Sequence, residues 1–351
     1  MTRSSTMLTL LAAALLLLVA TPVTAQERTL RLMTHDSFYL PDEAIESFER
    51  ANDVDVQLLP AGDAGSMVNQ AILTAERPLA DVLYGIDNTF LSRALAADIF
   101  MPYRSPALAF VPAELQLDPE GRVTPIDVGD VCLNLDRSAF GEGGLPAPTR
   151  LEDLTDPALA GTLVVQNPAT SSPGLAFLLA TVAYFGDDPA SGWQAFWADL
   201  RENDVSVAAG WEEAYYGRFS GGAGEGELPI VVSYASSPAA EVLFGGDPEA
   251  DESPTAAVDS GCFRQIEFAG ILRGTAEPEL AAALVDHLLS AEVQAELPLA
   301  MFVYPARTDV ALPAVFEQHA LVPSAPLSLD PAVIDAGREG WIREWTDIVL
   351  R

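Results

Sequence analysis

Strand-like and helix-like segments alternate along this 351-residue chain, and the alternation limits the folds open to it. Strands are predicted at 29–34, 54–59 and 80–86, and amphipathic helices at 41–52 and 64–76. This β-α-β order predicts a largely parallel sheet with helices on its faces. Ligands of such sheets bind beyond the carboxyl ends of the strands, where His35-Asp36-Ser37 and Asp87-Asn88 lie in this chain.

A second α/β unit begins near Val131. Its strands are predicted at 131–135, 163–166, 229–234 and 262–272, and helices at 277–289, 291–297 and 331–351. Ser171 and Ser172 precede Pro173 and an apolar run, which predicts a helix start with a serine cap and proline in the first turn. The segment 241–254 is predicted to be an acidic surface excursion. The whole pattern predicts an α/β protein of about two domains.

The charges of the chain exclude several functions. The 18 cationic side chains are all arginine and face 51 Asp and Glu, which gives a formal charge of −33 at pH 7. Nucleic-acid binding and attachment to an anionic membrane surface both need clustered basic residues, so neither is expected. Because 49% of the residues are hydrophobic, the chain can bury a large core. The surplus carboxylates are expected to form a solvated surface, part of whose field can attract a cationic ligand.

Residues 1–25 have the pattern of a secretory signal peptide. Arg3 supplies the positive start, and the apolar stretch 8–20 is too short to span a bilayer comfortably. Small residues at Val23-Thr24-Ala25 predict cleavage before Gln26. No cysteine follows the apolar stretch to carry a lipid, so the expected compartment is the periplasm.

The sequence contains two cysteines, Cys132 and Cys262. Export permits a disulfide between them, and the alternative is a pair of buried free thiols. Neither cysteine is spaced with a histidine as a zinc site would require.

Enzyme signatures are missing from the sequence. It has no G-x-S-x-G elbow, no H-E-x-x-H and no lysine, and the glycine-rich loop at 220–226 therefore lacks the P-loop lysine. What remains is a set of aromatic and small polar residues at predicted strand ends and turns. They are Asp87, Ser171, Ser172, Trp211, Tyr215, Tyr216, Tyr234, Phe302 and Tyr304. Each alone is compatible with a core aromatic or a helix cap, but together they predict a binding cleft with no catalytic centre and no cofactor.

Segments along nearly the whole mature chain resemble the periplasmic thiamine-binding proteins of ABC importers, in the two-lobed solute-binding superfamily. Their order and spacing carry the resemblance more than any one of them. They are His35-Asp36-Ser37-Phe38, Asp81-Val82-Leu83-Tyr84-Gly85-Ile86-Asp87-Asn88, Thr170-Ser171-Ser172-Pro173-Gly174-Leu175, Gly210-Trp211-Glu212-Glu213-Ala214-Tyr215, Ser233-Tyr234-Ala235-Ser236-Ser237-Pro238, Tyr304-Pro305 and Gly340-Trp341-Ile342-Arg343-Glu344-Trp345.

The resemblance implies two α/β lobes, each a mostly parallel sheet flanked by helices, which are joined by two hinge strands and close over a ligand. The crossovers would fall near 126–133 and 262–269. The first lobe would then comprise 28–127 and 267–351, and the second lobe 128–266. This layout places Cys132 and Cys262 at the hinge strands and favours a disulfide. It also implies a non-catalytic periplasmic monomer that delivers its ligand to an ABC permease in the inner membrane.

The implied ligand is thiamine or a thiamine phosphate, which combines a thiazolium cation with a neutral aminopyrimidine. Aromatic faces can hold a desolvated cation, each with roughly 0.5–2 kcal/mol, and hydroxyl groups at a helix start suit a hydroxyl or phosphate. The residues implied to bind are His35, Asp36, Asp87, Ser171, Ser172, Trp211, Tyr215, Tyr234, Phe302 and Tyr304. Two of them depart from the family, which usually has tyrosine in place of His35 and tryptophan in place of Phe302.

The alternative is a ferric-iron-binding protein of the same superfamily. Such proteins hold iron through adjacent tyrosines with a histidine and a carboxylate from the other lobe, a set that Tyr215, Tyr216, His35 and Asp87 could form. The residues around Trp211 resemble the thiamine-binding family more closely, so no metal is expected. An exported hydrolase has no motif in its favour.

Overall fold

The computed structural model describes residues 28–188, 190–245 and 250–351. The predicted signal peptide, 1–25, lies outside the described residues. The strands are β1 (Arg28–Thr34), β2 (Val54–Pro60), β3 (Val82–Asp87), β4 (Phe100–Met101), β5 (Thr124–Asp136), β6 (Leu163–Gln166), β7 (Ser206–Ala208), β8 (Ile230–Tyr234), β9 (Thr255–Ala257), β10 (Phe263–Leu272) and β11 (Tyr304–Pro305). The helices are α1 (Asp42–Asn52), α2 (Ala64–Leu73), α3 (Leu91–Ala96), α4 (Ser172–Phe185), α5 (Trp193–Glu202), α6 (Ser237–Phe244), α7 (Pro278–Leu288), α8 (Ala291–Ala300), α9 (Ala314–His319) and α10 (Pro331–Val349). Within the described ranges, no helix is long and apolar enough to cross a membrane.

The strands are hydrogen-bonded in the order β2-β1-β3-β10-β5-β8-β6-β7, with β4 beside β10 and with β9 and β11 beside β5. At one end β2, β1 and β3 are parallel, and at the other end β8, β6 and β7 are parallel. Between these two groups, β10 and β5 run antiparallel to their neighbours. This is the predicted α/β architecture of two mostly parallel groups joined by two long strands, and the fold prediction is confirmed.

The two long strands contain the predicted crossovers. β5 has 13 residues, all of them buried, and includes 126–133, while β10 begins one residue after Cys262. The residue pattern predicted only 131–135 of β5, because Pro125, Asp127 and Gly129 weaken its strand signal, and the crossover at 126–133 was implied only by the resemblance. Pairing with β10 along one edge outweighs those preferences. The lobe boundaries 28–127, 267–351 and 128–266 stay a prediction.

A disulfide joins the two long strands. It links Cys132 in β5 to Cys262, with the Cα atoms 4.3 Å apart and a sequence separation of 130. Both cysteines are fully buried. The bond therefore ties β5 to the start of β10 in the region where the two predicted lobes meet.

On another part of the molecule, the C-terminal helix joins the two predicted lobes. Trp345 of α10 meets Trp197 of α5 edge to face, with the ring centroids 5.5 Å apart, and both rings are buried. The Arg201 guanidinium donates to the carbonyl oxygen of Ile348 over 2.5 Å. The helix predicted at 331–351 thus anchors the end of the chain against the predicted second lobe.

Two local predictions are wrong. The segment 241–254 does not begin as a surface excursion, because residues through Phe244 complete α6 and Glu241 is only 3% exposed. Ser171 occupies the cap position of α4, but its side chain makes no capping hydrogen bond. Pro173 lies in the first turn of α4, as predicted.

Candidate binding site

A cavity of about 300 Å³ lies between the two predicted lobes, beyond the carboxyl end of β1. Seven of the ten residues predicted to bind ligand line it: His35, Asp36, Ser172, Trp211, Tyr215, Tyr234 and Phe302. The other three, Asp87, Ser171 and Tyr304, are not among the lining residues. The structure therefore brings most of the predicted set together around one space of ligand size.

Aromatic rings form one wall of the cavity. Trp211 and Tyr215 stack with ring centroids 4.9 Å apart and planes at 19°, and Tyr216 stands edge-on to Trp211 at 5.4 Å. Trp211 is held in place because its indole Nε1 donates to the Ser233 hydroxyl over 3.0 Å. The two tyrosines belong to a π-helical turn, Glu213–Arg218, a geometry often found at functional sites. This wall offers a large ring face to a cation or a flat heterocycle.

The charge of the cavity is strongly one-sided. Its lining includes the carboxylates Asp36, Asp63, Glu212, Glu241 and Glu267. In the part of the chain that the structure describes, neither arginine nor lysine lines it, and His35 is the one basic side chain there. Such a space favours a cation over an anion, because carboxylates in a poorly solvated cleft interact strongly with charge.

His35 lies on the floor of the cavity beside Glu267, with Nε2 3.6 Å from Oε2. Burial, the largest single cause, disfavours a charge on the ring, but the carboxylates of Glu267, Asp63 and Asp36 together outweigh it, so the pKa of His35 is raised above 6.5. The ring packs over Gly85, which has a φ of +95°, and a Cβ there would come within 2.3 Å of the His35 Cδ2. Position 85 therefore needs glycine both for its backbone conformation and to make room for His35.

Glu267 belongs to a row of carboxyl groups that crosses three strands. In the strand pairing, Asp87 of β3 and Asp127 of β5 lie directly opposite Glu267 of β10, so all three point to the same side of the sheet. Burial, with a smaller contribution from the charge of Glu267, raises the pKa of Asp87 to about 7. The same two causes raise the pKa of Asp127 well above 3.8. Both pKa values are raised because buried carboxyl groups are crowded together in this row.

Asp87 has a local structural role that explains its absence from the cavity wall. Its Oδ1 accepts hydrogen bonds from the Thr89 N–H over 2.6 Å and from the Thr89 hydroxyl over 2.5 Å. These bonds shape the turn that leads from β3 into α3. The residue is fully buried.

Asp63 connects the two sides of the cavity. It caps α2 through the Ala64 N–H over 2.7 Å, and it also accepts from the Ser172 N–H over 3.1 Å and from the Trp211 N–H over 3.0 Å. Burial raises the pKa of Asp63 above 3.8, although those N–H groups work in the opposite direction. Its carboxylate thus joins α2 to the start of α4 and to Trp211, where the helical segment leading into Glu213–Arg218 begins.

Two further hydrogen bonds cross the cavity. The Ser37 hydroxyl donates to Glu212 over 2.8 Å, and the Ser236 hydroxyl donates to the carbonyl oxygen of Phe302. Phe302 has a φ of 55°, an uncommon value for a residue other than glycine. Together with Asp63, these contacts hold the structure in a closed arrangement around the cavity.

Sequence analysis missed the carboxylates Asp63, Glu212, Glu241 and Glu267. The chain has 51 Asp and Glu, so the presence of a carboxylate does not indicate its role. Only a local sequence signal could have distinguished these four residues from the other acidic ones. Glu267 had one, because it interrupts an apolar strand between Ile266 and Phe268. Asp63 had another, because it directly precedes a helix as an N-cap residue does.

Of the four residues of the iron alternative, Tyr215, Tyr216 and His35 line the cavity, but the carboxylate Asp87 does not. The Tyr215 hydroxyl donates to Glu241 over 2.6 Å. Burial raises the pKa of Tyr215 well above 10, which disfavours the phenolate that ferric iron needs. In residues 28–188, 190–245 and 250–351, no group of three or more His, Cys, Asp and Glu side chains is placed to hold a metal ion.

A two-lobed α/β fold with a closed cavity between its lobes defines the class of solute-binding proteins. Residues 77–325 match the family described as bacterial extracellular solute-binding protein. The chain is 31% identical over 345 residues to a thiamine-binding periplasmic protein of Salmonella typhimurium, covering 96% of this chain and 98% of that relative. It is 28% identical over 331 residues to the thiamine-binding periplasmic protein of Brucella suis, covering 92% and 93%. The chain therefore belongs to the bacterial extracellular solute-binding proteins, in the group that includes these periplasmic relatives.

Solved structures agree with this assignment. A periplasmic thiamin-binding protein superposes with a TM-score of 0.81 and 28% identity, over 93% of this chain and 98% of its own. An iron-bound protein from Pseudomonas aeruginosa superposes with a TM-score of 0.68 at 19% identity, over 92% of this chain and 99% of its own. The second likeness shows a shared fold alone.

Proposed function

We propose that this protein is a non-catalytic periplasmic receptor that captures thiamine, or a thiamine phosphate, and delivers it to an ABC permease in the inner membrane. One observation carries the proposal: five carboxylates and a wall of aromatic rings line the cavity, with no arginine or lysine among the described lining residues. A thiazolium cation needs both features, and the names of the relatives at 31% and 28% identity support the same ligand.

The receptor works by closure of its two lobes, proposed as 28–127 with 267–351 and 128–266. The aromatic wall around Trp211 belongs to the second lobe, whereas His35 and Asp63 belong to the first. When the lobes close, a ligand resting on one lobe is covered by the other, and the permease recognises the closed form. The protein acts as a monomer in this scheme.

The proposal is tested by calorimetric titration of protein that has been unfolded and refolded to remove any bound ligand. Thiamine should bind one to one with submicromolar affinity, and Trp211→Ala should weaken it by about tenfold, because it removes a cation-π face. The variant's thermal melting curve serves as the folding control. Binding of ferric iron with a phenolate absorption band, and no heat with thiamine, would favour the iron alternative instead.

A further inference from the structure

Two polar atoms on the cavity floor have no hydrogen-bond partner among the described residues. They are the His35 Nε2 and the Glu267 Oε2, and both are buried. The side chains of the two residues are 11% and 7% exposed, and both line the cavity. The two atoms face each other as an ion pair 3.6 Å apart, which is too long for a hydrogen bond, so each keeps an unused hydrogen-bonding position that a ligand group in the cavity can fill.

The neighbouring contacts fix what that group must be. The Gln265 amide donates to the other oxygen of Glu267 over 3.1 Å and to the Tyr234 hydroxyl over 3.3 Å, which directs Oε2 toward His35 and the cavity. A carboxylate oxygen accepts hydrogen bonds, and the His35 Nε2 that faces it at 3.6 Å is the complementary donor, in line with the raised pKa of His35. The floor therefore presents one acceptor beside one donor, 3.6 Å apart.

We infer that His35 and Glu267 form a donor–acceptor pair that recognises the aminopyrimidine edge of the ligand. This edge places an exocyclic amine next to a ring nitrogen, so the amine donates to Glu267 and the ring nitrogen accepts from His35. The inference rests on the proposed function and adds a specificity-determining pair to it. The cationic ring is then left for the aromatic wall around Trp211.

The test compares thiamine with oxythiamine, in which an oxo group replaces the amine and the adjacent ring nitrogen carries a proton. This exchange reverses donor and acceptor along the edge while the thiazolium cation stays the same. Wild-type protein should prefer thiamine by at least about tenfold, because the wrong edge leaves both buried atoms unpaired. In Glu267→Gln the amide can present either its oxygen or its nitrogen, so the preference should fall to within about threefold.

Asp127→Asn is the matched control. It makes the same carboxylate-to-amide change in the same buried row, at a position outside the cavity lining, and should keep the wild-type ratio of affinities. His35→Gln is the second variant, in case Glu267→Gln does not fold, and it should also reduce the ratio. If thiamine binds and Glu267→Gln keeps the wild-type ratio, this inference is wrong although the proposed function stands. If wild-type protein binds neither compound, the proposed function is wrong as well.

Discussion

Asp87 is predicted to bind ligand, and in the structure it is a fully buried residue outside the cavity lining. It lies at a strand end, and the resemblance to thiamine-binding proteins implies that it binds the ligand. In the structure its carboxyl group closes a turn through Thr89 and lies beside Glu267 in the carboxyl row. We therefore expect Asp87 to affect stability more than binding.

The pKa of Asp87 predicts how the stability of the folded protein changes with pH. Because burial raises this pKa from 3.8 to about 7, the folded protein holds a proton that the unfolded chain has lost between those pH values. The contribution to stability is complete below pH 4 and is lost as the pH rises through 7. Each unit of pKa corresponds to about 1.4 kcal/mol.

Asp87→Asn should therefore raise the free energy of unfolding at pH 8 by about 4 kcal/mol and leave it nearly unchanged at pH 4. The amide oxygen can still accept the hydrogen bonds from Thr89. Urea denaturation at the two pH values measures the difference. An equal loss of stability at both pH values would contradict the role given to its charge.

At the scale of elements, α2, α4 and the helical segment that begins at Trp211 all contact one carboxylate, that of Asp63. Asp63 accepts one N–H from each of them, and two of these three elements lie in the predicted second lobe. Hydrogen bonds to a charged acceptor contribute roughly 1.5–3 kcal/mol each. Closure of the cleft should therefore depend on the hydrogen bonds of Asp63 more than on packing contacts between large side chains at the edge of the cleft.

Asp63→Asn should weaken thiamine binding by about 10- to 100-fold, because the amide nitrogen would face an N–H donor on one side of the cleft. Small-angle scattering of the ligand-free variant should give a larger radius of gyration than that of wild-type protein. Asp330→Asn is the matched control, since Asp330 caps only its own helix through the Ala332 N–H. If both variants bind thiamine equally well, Asp63 does not govern closure.

The sequence predicted elements better than contacts. The strands around Val164 and Val231 and the C-terminal helix were found because their apolar residues follow a clear pattern. The full extent of β5 was not predicted from the residue pattern, because its polar residues are stabilised only by pairing with strands distant in sequence. The aromatic residues of the cleft could be selected from the sequence because aromatics are few. Asp63 and Glu267 could not be selected from the sequence, because carboxylates are abundant and only the folded chain shows which of them are buried.

At the scale of the whole molecule, the acidic surface and the acidic cavity act in the same direction. A formal charge of −33 surrounds a cleft whose own lining is negative, so the field draws cations toward the opening and repels anions. The fold adds two connections between the predicted lobes away from the cleft, the Cys132–Cys262 disulfide and the packing of Trp345 on Trp197. In the proposed closure, these two connections would restrict the lobes to a hinge motion.

The most direct test of this account is a crystal structure of the refolded protein grown with saturating thiamine. The account predicts one thiamine molecule in the cavity, in contact with Trp211 and with its aminopyrimidine within hydrogen-bond distance of Glu267. An empty cavity would contradict it, as would thiamine bound elsewhere or a metal ion held by Tyr215 and Tyr216.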